Sequence, residues 1–234
     1  GKFELFIHNM VEREMKSSLK YMEKMKEFPK YIQWDKKEMN LKRGKWNEFF
    51  ENSNEIYLEI GSGQGNFTVG NAQRYRDRNF IGIELKFKRL YMSAQKANKR
   101  SLKNITFIRR WGQEILEFIG EEEIEGLYIN FPDPWDGNEK NRIINDKLFY
   151  ETLAKILKEN GKLFFKTDHE GYYNDVLELM KRIEGFKVVY NTNDLHNDPL
   201  GKDNIKTEFE ELFTRKGITT KYIEICKEKT LDKK

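Results

Sequence analysis

Apolar positions along this chain follow two different spacings. From Glu12 to Lys26 they recur at helical intervals, with Met15, Leu19, Met22 and Met25 near one face, and this predicts one amphipathic helix. From Ile56 onward, short apolar runs take turns with helical patterns. Ile56–Ile60, Phe80–Ile83, Ile105–Ile108, Leu127–Phe131 and Gly161–Lys166 read as strands, and Phe186–Tyr190 and Tyr222–Ile225 as two late ones. Asn66–Tyr75, Lys86–Lys99, Gln113–Ile119, Lys147–Leu157 and Tyr172–Ile183 read as the intervening helices. Strand and helix alternating in this way predict an α/β fold, with a mainly parallel seven-stranded sheet covered by helices on both faces.

Residues 1–50 contain no convincing strand and no linker, so they are expected to form a helical arm on a domain spanning 51–234. In an open parallel sheet, ligands bind outside the carboxyl ends of the strands. The loops after Ile60, Ile83, Ile108, Phe131 and Lys166 are therefore the ones to read for chemistry.

Composition narrows the class. The chain has 234 residues, 38% of them hydrophobic, which suits one globular domain with an added arm. An aromatic content of 14% argues against disorder. There is no apolar run of membrane-spanning length, no secretory leader is expected, and Gly1 in place of Met leads us to expect a trimmed or tagged chain. The single Cys226 excludes an intrachain disulfide framework; it is expected to be buried and inert in a cytoplasmic protein. His8, His169 and His196 have no metal-ligand spacing, so no metal is expected.

The net charge of +4 conceals a marked segregation. Lys86 to Arg110 carries nine bases and no acid, whereas Glu114 to Glu125 carries six glutamates and no base. The first stretch suits either a polyanion-binding face or an ordinary solvated helix.

The loop after the first strand reads Glu59-Ile60-Gly61-Ser62-Gly63-Gln64-Gly65-Asn66. Glycines belong where the backbone leaves a strand sharply and a ligand approaches closely. A dinucleotide fingerprint would have Gly or Ala where Asn66 stands. Glu59 would also repel a pyrophosphate but attract a ligand bearing an amino group and a sulfonium. Glu84, ending the second strand, suits the two hydroxyls of an adenosine ribose. After the fourth strand comes Asn130-Phe131-Pro132-Asp133-Pro134-Trp135. Its prolines fix the backbone on either side of Asp133, and Trp135 offers a face on which a base can stack.

These motifs, followed by Lys166-Thr167-Asp168 and Thr207-Glu208-Phe209-Glu210, stand in an order that resembles the bacterial tRNA (guanine-N7-)-methyltransferases from about Lys45 onward. The resemblance implies a Rossmann-like class I methyltransferase fold, S-adenosyl-L-methionine as cofactor, and a guanine in the variable loop of tRNA as substrate. Carried over by position, it implies that Glu59, Gly61, Gly63 and Glu84 surround the cofactor, with Asp133 as the central catalytic acid beside it. The family's usual Asp-Ala near the adenine is Trp111-Gly112 here, so Trp111 is expected to stack instead. Gly137, Arg142, Asp168, Thr207, Glu208, Phe209 and Glu210 fall at substrate-binding positions. Gly137 replaces a lysine that is typical of the family, and Lys140 is near enough to compensate. A methyltransferase with another substrate, a dehydrogenase and a catalytically silent RNA-binding module stay open on the sequence alone, as does monomer or homodimer.

Overall fold

The computed structural model describes residues 1–229; residues 230–234, the end of the domain expected over 51–234, lie outside the described residues. Strands β2 (Ile56–Ile60), β3 (Asn79–Ile83), β4 (Ile105–Ile108), β5 (Ile124–Asn130) and β6 (Leu157–Thr167) run parallel in the order β4-β3-β2-β5-β6. Strand β8 (Lys221–Lys227) lies antiparallel to β6, and β7 (Phe186–Thr192) closes that edge antiparallel to β8. The sheet was expected to have seven strands; among the described residues it has eight. The additional one is β1 (Ile32–Gln33), which pairs in parallel with β4 at the opposite edge.

That strand lies in the segment expected to be a strandless arm. Two residues are too few to produce a period, and here the pairing comes from tertiary contact: Tyr31 and Ile32 are buried, and the Tyr31 hydroxyl donates to the Leu102 carbonyl at 2.6 Å. Helix α1 (Lys2–Lys24) is longer than the predicted Glu12–Lys26 at its start and buries none of its residues. Two short helices follow, α2 (Lys36–Leu41) and α3 (Trp46–Phe50). Trp46 is fully buried, its indole N–H donating to the Phe118 carbonyl at 2.7 Å.

The sheet is packed on both faces. Helices α4 (Asn66–Arg74) and α5 (Phe87–Lys99) cover one with Val69, Ala72, Leu90, Ala94 and Ala97 over Phe80, Ile105 and Phe107. On the other, α6 (Ile115–Phe118), α7 (Lys147–Ile156) and α8 (Glu170–Met180) pack Phe118, Tyr150, Leu153, Tyr172 and Val176 over Leu58, Leu127, Leu163 and Phe165. At roughly 2 kcal/mol per fully buried large apolar side chain, these two layers are what fix the strand ends in place. Among the described residues no helix is long and apolar enough to cross a membrane, and no His, Cys, Asp and Glu group is placed to hold a metal.

Candidate active site

The glycine loop leaves β2 at the carboxyl edge of the sheet. Gly61 and Gly63 take φ of +74° and +57°, and a side chain at either would meet nothing within 4 Å. The loop therefore has backbone that L residues rarely adopt beneath open space, a cradle for a ligand that must approach main chain. The Gly61 and Ser62 amides both donate to the Ile83 carbonyl, tying the loop to the end of β3.

Glu84 lies on that tie. Its Oε2 accepts from the Leu85 and Lys86 amides at 2.7 and 2.9 Å, and its Oε1 accepts from Gly63 at 3.1 Å. Arg89 approaches Oε1 at 3.5 Å. A carboxylate has about four lone-pair positions, so Oε1 keeps acceptor capacity while the group is held in one orientation. Open glycines beside a fixed carboxylate fit the glycine-and-acid requirements of an adenosyl cofactor.

Glu59 is placed differently. It is buried, accepting from the Thr68 hydroxyl at 2.7 Å and the Asn130 side-chain amide at 2.8 Å. Burial pushes its carboxyl up to about 7, against the opposing pull of those two hydrogen bonds and of Lys166. The folded state thus binds a proton more tightly than the unfolded chain, and stability falls as pH rises from about 4.5 to about 7. Glu59→Gln removes this cost, because the Asn130 Oδ1, buried without a partner, can turn toward the new amide. Relative to wild type, the variant should gain about 3 kcal/mol between pH 4.5 and pH 8. Urea melts at both pH values check this; a stability difference that is independent of pH would contradict it.

The proline-framed loop follows β5, beside β2. Asp133 is exposed, its Oδ1 accepting from the Trp135 amide at 2.8 Å. Phe131 and Trp135 both take φ near +50°. The strained loop is braced from below by Arg142, which is 2% exposed. Its guanidinium donates to the Pro134 carbonyl at 2.5 Å and the Asp175 carboxylate at 2.8 Å, and lies over the Tyr172 ring at 4.7 Å. Arg142 was expected at the substrate; its donors go to the loop that carries Asp133. Gly137 lies in an exposed turn at φ +83°, with its amide toward the Glu139 carboxylate at 3.2 Å.

The loop after β6 carries Asp168, partly exposed, and His169, which caps α8 by accepting from the Tyr172 amide at Nδ1 (2.9 Å). Its Nε2 therefore carries the proton and donates to Asp136 at 2.8 Å.

The Thr207 to Glu210 run divides in two. It opens α9 (Glu208–Arg215), where the Thr207 hydroxyl accepts from the Glu210 amide and the Glu210 carboxylate accepts from the Thr207 amide, both at 3.2 Å. Glu210 is fully buried and ion-paired with Lys166, while its Oε2 accepts from His196 at 2.8 Å and Asn204 at 2.9 Å. Burial would raise its carboxyl, but Lys166, His196 and Asn204 hold it below the usual range. Its oxygens face inward. Glu208 and Phe209 face the other way: Glu208 Oε1 accepts weakly from the Asn66 amide at 3.4 Å, and Phe209 lies exposed beside the Phe131 ring. Phe131, Phe209 and Phe213 thereby join α9 to the Asp133 loop.

Asn130 and Lys166 belong to the Asn130-Phe131-Pro132-Asp133 and Lys166-Thr167-Asp168 motifs but carried no role of their own there; in the fold they pair with the buried carboxylates of Glu59 and Glu210. The basic stretch is also divided. Lys86 and Lys88 are exposed at the carboxyl edge, whereas Lys99 and Arg100 end α5 at the opposite edge, where β4 begins. Arg110 is buried against Asn40, Glu114 and Glu117.

A family model described as "Putative methyltransferase" matches residues 53–223. A bifunctional glycosyltransferase/methyltransferase of Fusobacterium nucleatum is 52% identical over 208 residues, 88% of this chain but 32% of that protein, so the chain spans about a third of its length. A tRNA (guanine-N(7)-)-methyltransferase of Clostridium botulinum is 38% identical over 189 residues, covering 77% of this chain and 86% of its own length. Among solved structures, the 16S rRNA methyltransferase KamB superposes with a TM-score of 0.61 at 11% identity, over 80% of this chain and 94% of its own. That likeness supports the class I methyltransferase fold.

Proposed function

From the premise that this chain belongs to the tRNA (guanine-N7-)-methyltransferase family, we propose that it transfers a methyl group from S-adenosyl-L-methionine to N7 of a guanine in tRNA. The observation carrying this reading is one exposed carboxylate, Asp133, fixed by a proline frame and a buried arginine at the same sheet edge as the open glycine loop and Glu84. The cofactor supplies a methyl group on a positively charged sulfur, already activated for transfer to a nucleophile.

Guanine N7 has an in-plane lone pair and no proton, so the chain need not supply a base. Its contribution is position and charge. Glu84 and the Gly61 and Gly63 backbone would hold the nucleoside end of the cofactor, and the exposed Trp135 face would receive the target base. Methylation leaves the purine cationic, and the Asp133 carboxylate opposes that charge as it develops. Asp168 and Glu208, at the rim, are the acceptors available to the N1–H and 2-amino edge of guanine, a choice that disfavours adenine.

Purified protein incubated with unmodified tRNA and methyl-labelled cofactor tests the proposal directly. N7-methylguanosine in the digested RNA is the expected product; labelling of another atom, or of protein or small molecules only, would refute it. The RNA grip should come from Lys86 and Lys88. Reversing both to Glu is expected to weaken tRNA binding about tenfold near 0.15 M salt and lower the salt slope by roughly one to two. The same reversal at Lys99 and Arg100, at the far edge, should leave binding within about twofold. Equal losses from both pairs in filter-binding titrations would contradict this placement.

A further inference from the structure

Helix α1 is anchored at its carboxyl end, where Tyr21 packs against Tyr91 of α5 at 5.7 Å and Lys24 lies over the same Tyr91 ring at 5.4 Å. One to two turns earlier it forms the wall of a cleft of about 510 Å³. Glu14 and Ser17 line that wall, and Lys86, Lys88, Arg109 and Trp111 line the facing side. The facing residues follow β3 and β4 at the carboxyl edge. Glu84 ends β3, the glycine loop ends β2 and the Asp133 loop ends β5, in the sheet order β4-β3-β2-β5. A nucleoside whose ribose is held at Glu84 and whose reactive end points toward Asp133 would have its base on the β4 side, toward this cleft, which Leu85, next to Glu84, also lines.

The cleft's chemistry suits such a base. Trp111 is 58% exposed and offers an open face. Arg109 donates to the Leu85 carbonyl at 2.8 Å and stacks on Phe87 at 4.1 Å, so its cation serves the loop. Lys88 lies over Tyr21 at 5.8 Å. Among the residues lining the cleft, Glu14 is the only acid, and an adenine 6-amino group needs an acceptor.

We infer that α1 is a third wall of the cofactor site, and that Glu14 accepts a hydrogen bond from the 6-amino group of the adenine while the base lies against Trp111. The inference rests on the cofactor reading above and goes beyond it by assigning specificity for the base to the N-terminal helix.

Calorimetric titration of the whole chain with S-adenosyl-L-homocysteine and with S-inosyl-L-homocysteine, whose 6-amino group is replaced by a carbonyl oxygen, tests it. The wild type should favour the adenosyl ligand by about tenfold or more, because the carboxylate faces a donor in one ligand and an acceptor in the other. Glu14→Ala, at an exposed helical position where folding is unaffected, should weaken the adenosyl ligand about tenfold and bring the two ligands within about threefold. Glu14→Gln, which keeps an acceptor, should fall between. If the adenosyl ligand binds but Glu14→Ala changes neither its affinity nor the discrimination, the inference is overturned and the methyltransferase proposal stands. Unchanged cofactor binding with altered tRNA binding also overturns it, as an RNA nucleotide would then occupy the cleft. If the wild type binds neither ligand, both readings fall.

Discussion

Asp133→Asn is expected to slow methyl transfer to tRNA by roughly a hundred- to a thousandfold while cofactor affinity stays within about threefold. The substitution separates charge from geometry. The Asn side-chain oxygen can still accept from the Trp135 amide, and Pro132, Pro134 and the Arg142 brace remain, so the loop keeps its shape. What disappears is a negative charge facing the purine as it becomes cationic. An interaction that strengthens only as charge develops acts on turnover and leaves binding nearly unchanged. Single-turnover transfer from labelled cofactor, with calorimetry on the same preparation, measures both quantities. Full turnover at unchanged cofactor affinity would show that the carboxylate only shapes the loop, and positioning of N7 would then have to account for the rate.

Much of this site was legible in the sequence because a parallel sheet gathers the ends of its strands. Once Ile56–Ile60, Phe80–Ile83 and Leu127–Phe131 read as strands, Glu84, the glycine loop and Asp133 had to share an edge. Residues whose partners are distant in sequence were less legible. Arg142 follows the Pro-Trp motif like a substrate-facing base, yet Asp175, 33 residues further on, draws it inward. The basic run from Lys86 to Arg110 is continuous in sequence, but a helix and a strand carry its members to opposite edges and, for Arg110, into the interior. Strand β1 exists because β4 offers it an edge. In one case the signal was present with a second meaning. Thr207-Glu208-Phe209-Glu210 has the spacing of a capping box, Thr at the N-cap and Glu three residues on, and it starts α9. Read as a ligand motif it pointed all four residues at substrate, whereas in the fold only Glu208 and Phe209 face outward.

The inward half of that motif supports the second large prediction. Lys166 is buried, and burial lowers its ammonium pKa against the opposing pull of Glu210 and Glu59. It donates to Asn204 Oδ1 and the Ile205 carbonyl, both at 3.1 Å, besides pairing with Glu210. One cation thus joins β6 to the 195–205 segment and to the first turn of α9, the turn that carries Glu208 and Phe209. Removing either partner leaves the other charge buried without its counter-ion, at a cost of about 3–5 kcal/mol. Lys166→Met and Glu210→Gln should each lower the melting temperature by roughly 10 °C, since about 2–4 °C follows each kcal/mol in a chain of this size. Hydrogen exchange should rise first in 195–215, because the core beneath β6 does not depend on the pair. The double variant Lys166→Met/Glu210→Gln contains no unpaired charge, so its loss should fall several kcal/mol short of the sum of the single losses. Strictly additive losses in that cycle would mean that the two groups stabilise the fold independently, and that α9 is held on the sheet by the Phe131, Phe209 and Phe213 contacts instead.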